Sequence, residues 1–472
     1  MVTTSIDHPL LIDGRPVETG EWTEVRAPFS GDVIGRVARG GAAETRAALD
    51  AAAAAMETPL PAHERARILD AVARLLDERS EEVAQMISAE AGKPLKAARV
   101  EAQRAVSTYT FAAVEARRLA GQVVPMDASP AGEGKLALTL RLPIGIVGAI
   151  SPFNFPLNLV AHKIAPALAA GCAVVLKPAA ATPLSALFLA GLEQEAGLPP
   201  GWLNVVSGGA AAIGDELVAD DRVKLITFTG SSGVGWSLAE RAHRKRVSLE
   251  LGNATPAIVC ADAPADAAAK LAANAFSFAG QSCISVQRIF VLAEAWERFL
   301  ADFVPKVEAL KVGDPADDAT DVGPVITADE RDRILSWIHE SKGEVLTGGT
   351  TNDDGLILPT VIANPAGDDK VQCQEVFGPV VTVTRVATLE DAIEQANATK
   401  YGLQAAIFTT NIQSSLHAAQ HLDFGGVIVN EAPTFRADQM PYGGVKESGN
   451  TKEGPAWAVR EMTEERLVVL QL

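Results

Sequence analysis

The stretch IGIVGAISPFNFPLNLVAHKIAPALAAGCAVVLKPAAATP, residues 144–183, decides the fold. It opens on the apolar run Ile144–Ile150, breaks at Pro152 and Pro156, passes through a helical segment and returns to an apolar run at Ala173–Lys177. Short apolar runs bounded by turn residues read as buried strands. The pattern repeats at Leu203–Val206 and Leu225–Thr229, with helical stretches between. Strands alternating with helices predict right-handed βαβ units and a parallel sheet, hence an α/β fold. Ligands on such sheets bind at the carboxyl ends of the strands, so chemistry is sought there.

Upstream, ERARILDAVARLLDERSEEVAQMISAEAG (64–92) repeats apolar residues at three- and four-residue spacing, and the span from Pro61 to Gly121 reads as helical. Gly121–Leu142 reads as a Gly/Pro turn feeding a strand. After Gly252 a second α/β stretch begins, with strand-like PAIVCA and RIFVLA flanking the helical DAAAKLAANAFSFAG. The final ERLVVLQL reads as a strand without a hairpin neighbour, expected to pair elsewhere in the chain or in another subunit.

The 472 residues are 48% hydrophobic, enough for more than one lobe. A net charge of −18 argues against nucleic acid or anionic membrane as partner. The first residues show no basic segment ahead of an apolar one, and no apolar run is long enough to span a bilayer. The four cysteines, Cys172, Cys260, Cys283 and Cys373, are too scattered for a disulfide framework or a zinc site. A reducing cytoplasm suits them, and no metal is expected.

Candidate chemistry lies at the strand ends. Asn154 sits on the proline-stiffened turn Ser151–Pro156, where its amide can donate to a developing oxyanion or simply satisfy the turn. Lys177 closes the second run. Gly208 and Gly214 follow the third, and Phe228-Thr229-Gly230-Ser231 follow the fourth, without an ordered G-x-G-x-x-G. Glycines admit a ligand close to the backbone, and a following helix N-terminus favours pyrophosphate. Cys283 follows Gly280-Gln281-Ser282, a place where backbone donors lower a thiol pKa; the plainer reading, a buried inert cysteine, suits Cys172, Cys260 and Cys373. Glu250, after the apolar VSL, is a base if desolvated and otherwise an ordinary salt-bridged acid. His417 and His421 have metal-like spacing but lack the glutamate of H-E-x-x-H, and read as a solvated face.

Together PFNFP, LKPA, FTGS, ELG, FxxxGQxC, EVFGP and PYGGVKESG occur in the order found in the aldehyde dehydrogenase superfamily, which the chain resembles from about Ile12 onward. The resemblance implies Cys283 as nucleophile, Glu250 as general base and Asn154 as oxyanion donor. It implies NAD or NADP held by Ile150, Ser151, Pro152, Phe153, Lys177, Ala180, Gly208, Gly214, Phe228, Thr229, Gly230, Ser231, Leu251, Glu375 and Phe377. It implies a Rossmann-like cofactor domain (1–122 and 143–251), an α/β catalytic domain (252–445) and a small β oligomerisation domain (123–142 and 446–472) of a homodimer or homotetramer. Three departures stand out. Asn253 replaces the second glycine of Glu-Leu-Gly-Gly and is expected to tolerate a left-handed turn. Ala180 replaces a glutamate typical of NAD-preferring members, which leaves NADP open. Phe153 replaces a tryptophan and is expected to matter little.

The expected reaction is oxidation of an aldehyde to a free acid. Glu250 disfavours the acyl-CoA-forming branch, the retained Cys283 disfavours a non-catalytic binding protein, and the histidines supply no signature of a cysteine hydrolase. A small anionic or hydroxylated aldehyde is expected as substrate. Arg104, His162 and Arg436 form a cationic set, with His162 on the Asn154 face of a helix. Ser282, beside the nucleophile, stands where phosphate-binding relatives carry arginine. Arg288 reads as structural.

Overall fold

The computed structural model describes residues 7–472. Two seven-stranded sheets organise the chain. In the first, the strands Arg246–Glu250, Val223–Thr229, Ile146–Ile150, Val174–Lys177 and Leu203–Val205 lie side by side, all parallel. Leu10–Ile12 and Arg15–Val17 extend its edge antiparallel. In the second, Thr360–Ala363, Val380–Val386, Val286–Leu292, Thr255–Val259, Gln404–Phe408 and Gly426–Val429 run parallel, with Glu344–Thr347 antiparallel at one edge. Helices cover these sheets, so the central strands are buried on both faces and read as unbroken apolar runs rather than alternating ones.

The parallel order expected for the four runs is observed, and the carboxyl ends of five strands form one row. Across it, Glu250 pairs in register with Thr229, Phe228 with Ile150, and Ile150 with Lys177. The first run starts later than its sequence suggests. Gly145, at φ +134, turns the chain between the strand Lys135–Pro143 and the strand Ile146–Ile150. The span from Pro61 to Gly121 divides into the helices Ala62–Glu78, Ser80–Ala91 and Leu95–Arg118. Gly92 ends the second of these in a left-handed cap, and Pro94 bars its continuation.

ERLVVLQL finds its partner within the chain. Thr463–Gln471 pairs antiparallel with Lys135–Pro143 over nine residues, and Val123–Val124 adds a third strand. Leu136, Leu140, Leu467, Val469 and Leu470 remain exposed on this ribbon. The segment 446–462 leaves it for the site: Leu251 N–H donates to Ser448 O, and Glu453 is buried beside Lys163. A small sheet of Asp7–His8, Val33–Ala38 and Trp22–Arg26 is unannounced in the sequence because its strands are short and half polar. Among the described residues no helix is long and apolar enough to cross a membrane.

Candidate active site

Asn154 lies on the turn after the strand Ile146–Ile150 and is 3% exposed. The helix behind this turn begins only at Asn158, so Asn154 and His162 do not share a helix face as expected. Glu101 fixes the junction by accepting the Leu157 and Asn158 N–H groups at 3.0 and 3.1 Å. Its other oxygen binds Lys93, whose ammonium lies 3.7 Å over the Phe155 ring and 4.6 Å over Phe278. One buried ion pair thus ties the Asn154 turn to the Cys283 loop. Glu101→Ala is expected to cost about 3–5 kcal/mol, because Lys93 would be left charged and unpaired in the interior. Urea unfolding is the check, and a loss under 1 kcal/mol would refute it.

Phe276–Cys283 does not run on as helix. Phe278, Ala279 and Gly280 adopt left-handed φ of 52°, 51° and 71° in succession. A side chain at Gly280 would meet Gly378 O at 2.1 Å, so the loop lies directly on the Glu375–Pro379 turn. Phe377 there is itself left-handed, at φ 51°, and meets the Phe153 ring edge-on at 5.8 Å. Non-glycine residues in this region signal backbone held by its surroundings, as at sites where geometry matters. Asn154 donates one amide hydrogen to Gln281 O at 3.0 Å, which leaves the second available two residues from Cys283.

The Cys283 sulfur lies 2.9 Å from the Tyr442 hydroxyl and packs with Ile284 and Leu403. Burial pushes its thiol up to about 12, with Tyr442 and Arg436 acting against that rise. The lowered value anticipated from backbone donors is therefore absent. Ser282 beside it is half-buried. Cys172 and Cys260 are buried as read, whereas Cys373 is partly exposed.

Glu250 ends its strand 4% exposed, and neither carboxylate oxygen has a hydrogen-bond partner among the described residues. The salt-bridged alternative is therefore wrong. Burial first, and then the Glu453 charge, hold its carboxyl well above the ordinary range; Arg436 and Lys163 act in the opposite direction. Glu453 is buried too, yet Lys163 and Arg436 outweigh burial and bring it down to about 2. Lys163 Nζ donates to Thr229 and Thr227 at 2.6 and 3.2 Å and lies 3.5 Å from Glu453. Neither Lys163 nor Glu453 stands out in sequence, and only the bare Glu250 carboxylate between them gives either a meaning.

The expected cationic set is corrected. Arg104 and His162 both bind Asp438, at 2.9 Å each, and Arg436 binds Glu453 at 2.8 Å. Burial keeps His162 below its ordinary value. The set carries matching negative charge and makes no open anion field. Arg104 alone remains partly exposed; Asp438 takes its Nε and Nη2, and among the described residues Nη1 has no hydrogen-bond partner. Asp438 was missed because an acid between Ala437 and Gln439 in a loop carries no signal of its own. Arg288 gives its guanidinium to the Ala254, Gln395 and Ala396 carbonyls, a structural use.

The row of strand ends fits a dinucleotide. Ser151 Oγ is buried with no partner among the described residues, and a side chain at Gly209 or Gly214 would meet open space. Ile150, Pro152, Lys177, Phe228, Thr229 and Gly230 line the same row, and Ser231 precedes the helix Ser232–Arg241. Lys177 is 6% exposed and reaches Pro178 O. Ala180 is exposed. Gly208 faces Gly40 O so closely, 2.0 Å from where a side chain would begin, that no other residue fits. Glu375 accepts the Asn253 N–H at 2.9 Å, and burial raises its carboxyl to about 7. Gly252 has no side chain because Glu375 occupies that space. Leu251 is buried. Asn253 is not left-handed as expected; its amide instead bridges Thr255 and Gln404.

The model of the aldehyde dehydrogenase family matches residues 16–468. The chain is 42% identical over 468 residues to a 3-sulfolactaldehyde dehydrogenase of Priestia megaterium, covering 98% of each. It is 39% identical to a lactaldehyde dehydrogenase of Methanocaldococcus jannaschii, over 98% of this chain and 100% of that one. Among solved structures it superposes on aldehyde dehydrogenase 21 from Physcomitrella patens, in complex with the reaction product succinate, with a TM-score of 0.96, 37% identity and 99% of each chain covered. Glyceraldehyde-3-phosphate dehydrogenase GapN from Methanocaldococcus jannaschii, complexed with NADP, gives 0.92 at 38% identity, covering 96% of this chain and all of that one. The chain belongs to the aldehyde dehydrogenase family.

Proposed function

We propose that this chain oxidises a small hydroxylated or anionic aldehyde to the free carboxylic acid with NAD or NADP, through Cys283, Glu250 and Asn154. The observation that carries the proposal is the buried Glu250 carboxylate, which has no hydrogen-bond partner among the described residues. A base so placed supports water as the final acceptor and disfavours acyl transfer to a thiol cofactor.

The Cys283 thiolate attacks the aldehyde carbon, forming the carbon–sulfur bond, and the carbonyl oxygen becomes an oxyanion. The free Asn154 amide hydrogen and the Cys283 N–H receive that charge. The bound nicotinamide supplies the oxidising power by accepting hydride. What remains on Cys283 is a thioester. Glu250 takes a proton from water as its oxygen attacks the thioester carbon. The carbon–sulfur bond then breaks, the thiolate is restored and the acid leaves. Glu250 returns its proton to solvent.

The relatives named for sulfolactaldehyde and lactaldehyde support a short hydroxylated substrate, and Arg104 Nη1 is the group available to an anionic head. Arg104→Leu is expected to raise KM about tenfold for a sulfo- or carboxy-aldehyde, the scale of one charge-assisted bond, and to leave propanal unchanged. Equal effects on both would refute the role. The exposed Ala180 sets no charge against a 2′-phosphate, so NADP turnover is expected alongside NAD. Ala180→Glu should lower kcat/KM for NADP about tenfold relative to NAD. An unchanged NADP/NAD ratio would contradict this. The two seven-stranded sheets and the ribbon of Lys135–Pro143 and Thr463–Gln471 support the domain division given above, with 446–462 assigned to the site instead. The exposed apolar ribbon supports assembly into a homodimer or homotetramer, and light scattering that gave the 49.4 kDa monomer would refute it.

A further inference from the structure

We infer that Tyr442 is a further catalytic residue: its hydroxyl, held against the Cys283 sulfur and carried beneath the Arg436 guanidinium, donates the hydrogen bond that stabilises the thiolate. The inference rests on Cys283 being the nucleophile. The sulfur and the phenolic oxygen are 2.9 Å apart. As long as both carry protons, either can donate. Once the sulfur is ionised it can only accept, and the phenol becomes the donor.

The surroundings make that bond consequential. Tyr442 is 2% exposed, and its ring packs with Ile284 and Leu403 around the cysteine, so little solvent reaches the sulfur. A thiolate in such a place depends on the few donors aimed at it. The ring is not free to turn away. Tyr442 N–H donates to Glu453 O at 3.1 Å, and Glu453 N–H donates back to Tyr442 O at 2.6 Å. Arg436 lies 3.9 Å over the ring and is itself pinned by the Glu453 carboxylate. A cation over a phenol draws electron density from the ring and strengthens the hydroxyl as donor. Arg436 thereby acts on the sulfur through the aromatic ring, a use of its charge distinct from binding substrate. Tyr442 keeps its own proton throughout, and the proton lost by the thiol leaves to solvent.

Tyr442→Phe removes one oxygen and keeps the packing. Alkylation of the cofactor-free protein by iodoacetamide, followed on the Cys283 peptide across pH, reads the thiolate directly. The variant should alkylate about tenfold more slowly at pH 7.5, with its midpoint about one pH unit higher, the equivalent of one hydrogen bond to a charged group. Its burst of reduced cofactor should slow by a similar factor, with KM for the nucleotide and the melting temperature unchanged. Wild-type alkylation, or faster alkylation, overturns the inference. Cys283→Ala is run in parallel. If that variant still turns over, the nucleophile assignment fails instead; if it is silent while Tyr442→Phe matches wild type, only the role of Tyr442 falls.

Discussion

Cys283→Ala is expected to fold, to bind the nucleotide and to lose turnover by about a thousandfold or more, since no second group near the carbonyl can form the covalent adduct. The structure makes this a clean test. The side chain is small, and among the described residues its sulfur bonds only Tyr442, so its loss removes the sulfur with little change in packing. Alanine does not disturb the left-handed run at 278–280 that sets the loop. Nucleotide binding by calorimetry should match wild type. Steady-state dehydrogenase activity within tenfold of wild type would end the assignment of Cys283 as nucleophile.

Glu250→Gln should still release one equivalent of reduced cofactor per site and then stall, with steady-state turnover down about a hundredfold or more. In the wild-type protein the carboxyl holds its proton to unusually high pH because it is buried and faces Glu453. Below that raised value it cannot accept a proton from water, so steady-state turnover should climb as pH passes through it, and the variant should lose the climb. Stability follows the same group. A carboxyl whose folded pKa is raised contributes most below its unfolded value, and the contribution fades as pH rises through the folded one. Glu250→Gln should therefore gain stability relative to wild type as pH increases, visible in melting curves at several pH values. A variant that shows no burst, or turns over normally, would refute the role. If added coenzyme A released the acyl group, the acyl-transfer alternative would replace hydrolysis.

How far the sequence reaches can be judged from particular residues. The parallel sheet was legible because strands buried on both faces show as unbroken apolar runs, and Val174–Lys177 is such a run. Asn154, Cys283 and Glu250 were legible because each sits in a distinctive local motif. Tyr442, Glu453, Lys163 and Asp438 were not, because what distinguishes each is a partner 64 to 290 residues away. The cationic reading of Arg104, His162 and Arg436 failed for the same reason. A sequence shows charge, and only the fold shows that Asp438 and Glu453 cancel it. The helix expected through Phe276–Gly280 gave way because contact with the Gly378 carbonyl overrides local preference.

The late arrival of Tyr442 bears on how the protein is made. Cys283 leaves the ribosome 159 residues ahead of the tyrosine that touches it, and Lys163 waits 290 residues for Glu453. Contacts that span such separations form slowly and last. During synthesis the cysteine is thus on a chain that lacks its phenol, the arginine above it and the final acid. A chain in which those distant segments have not yet met holds the cysteine without the donor and the arginine that the folded site sets around it.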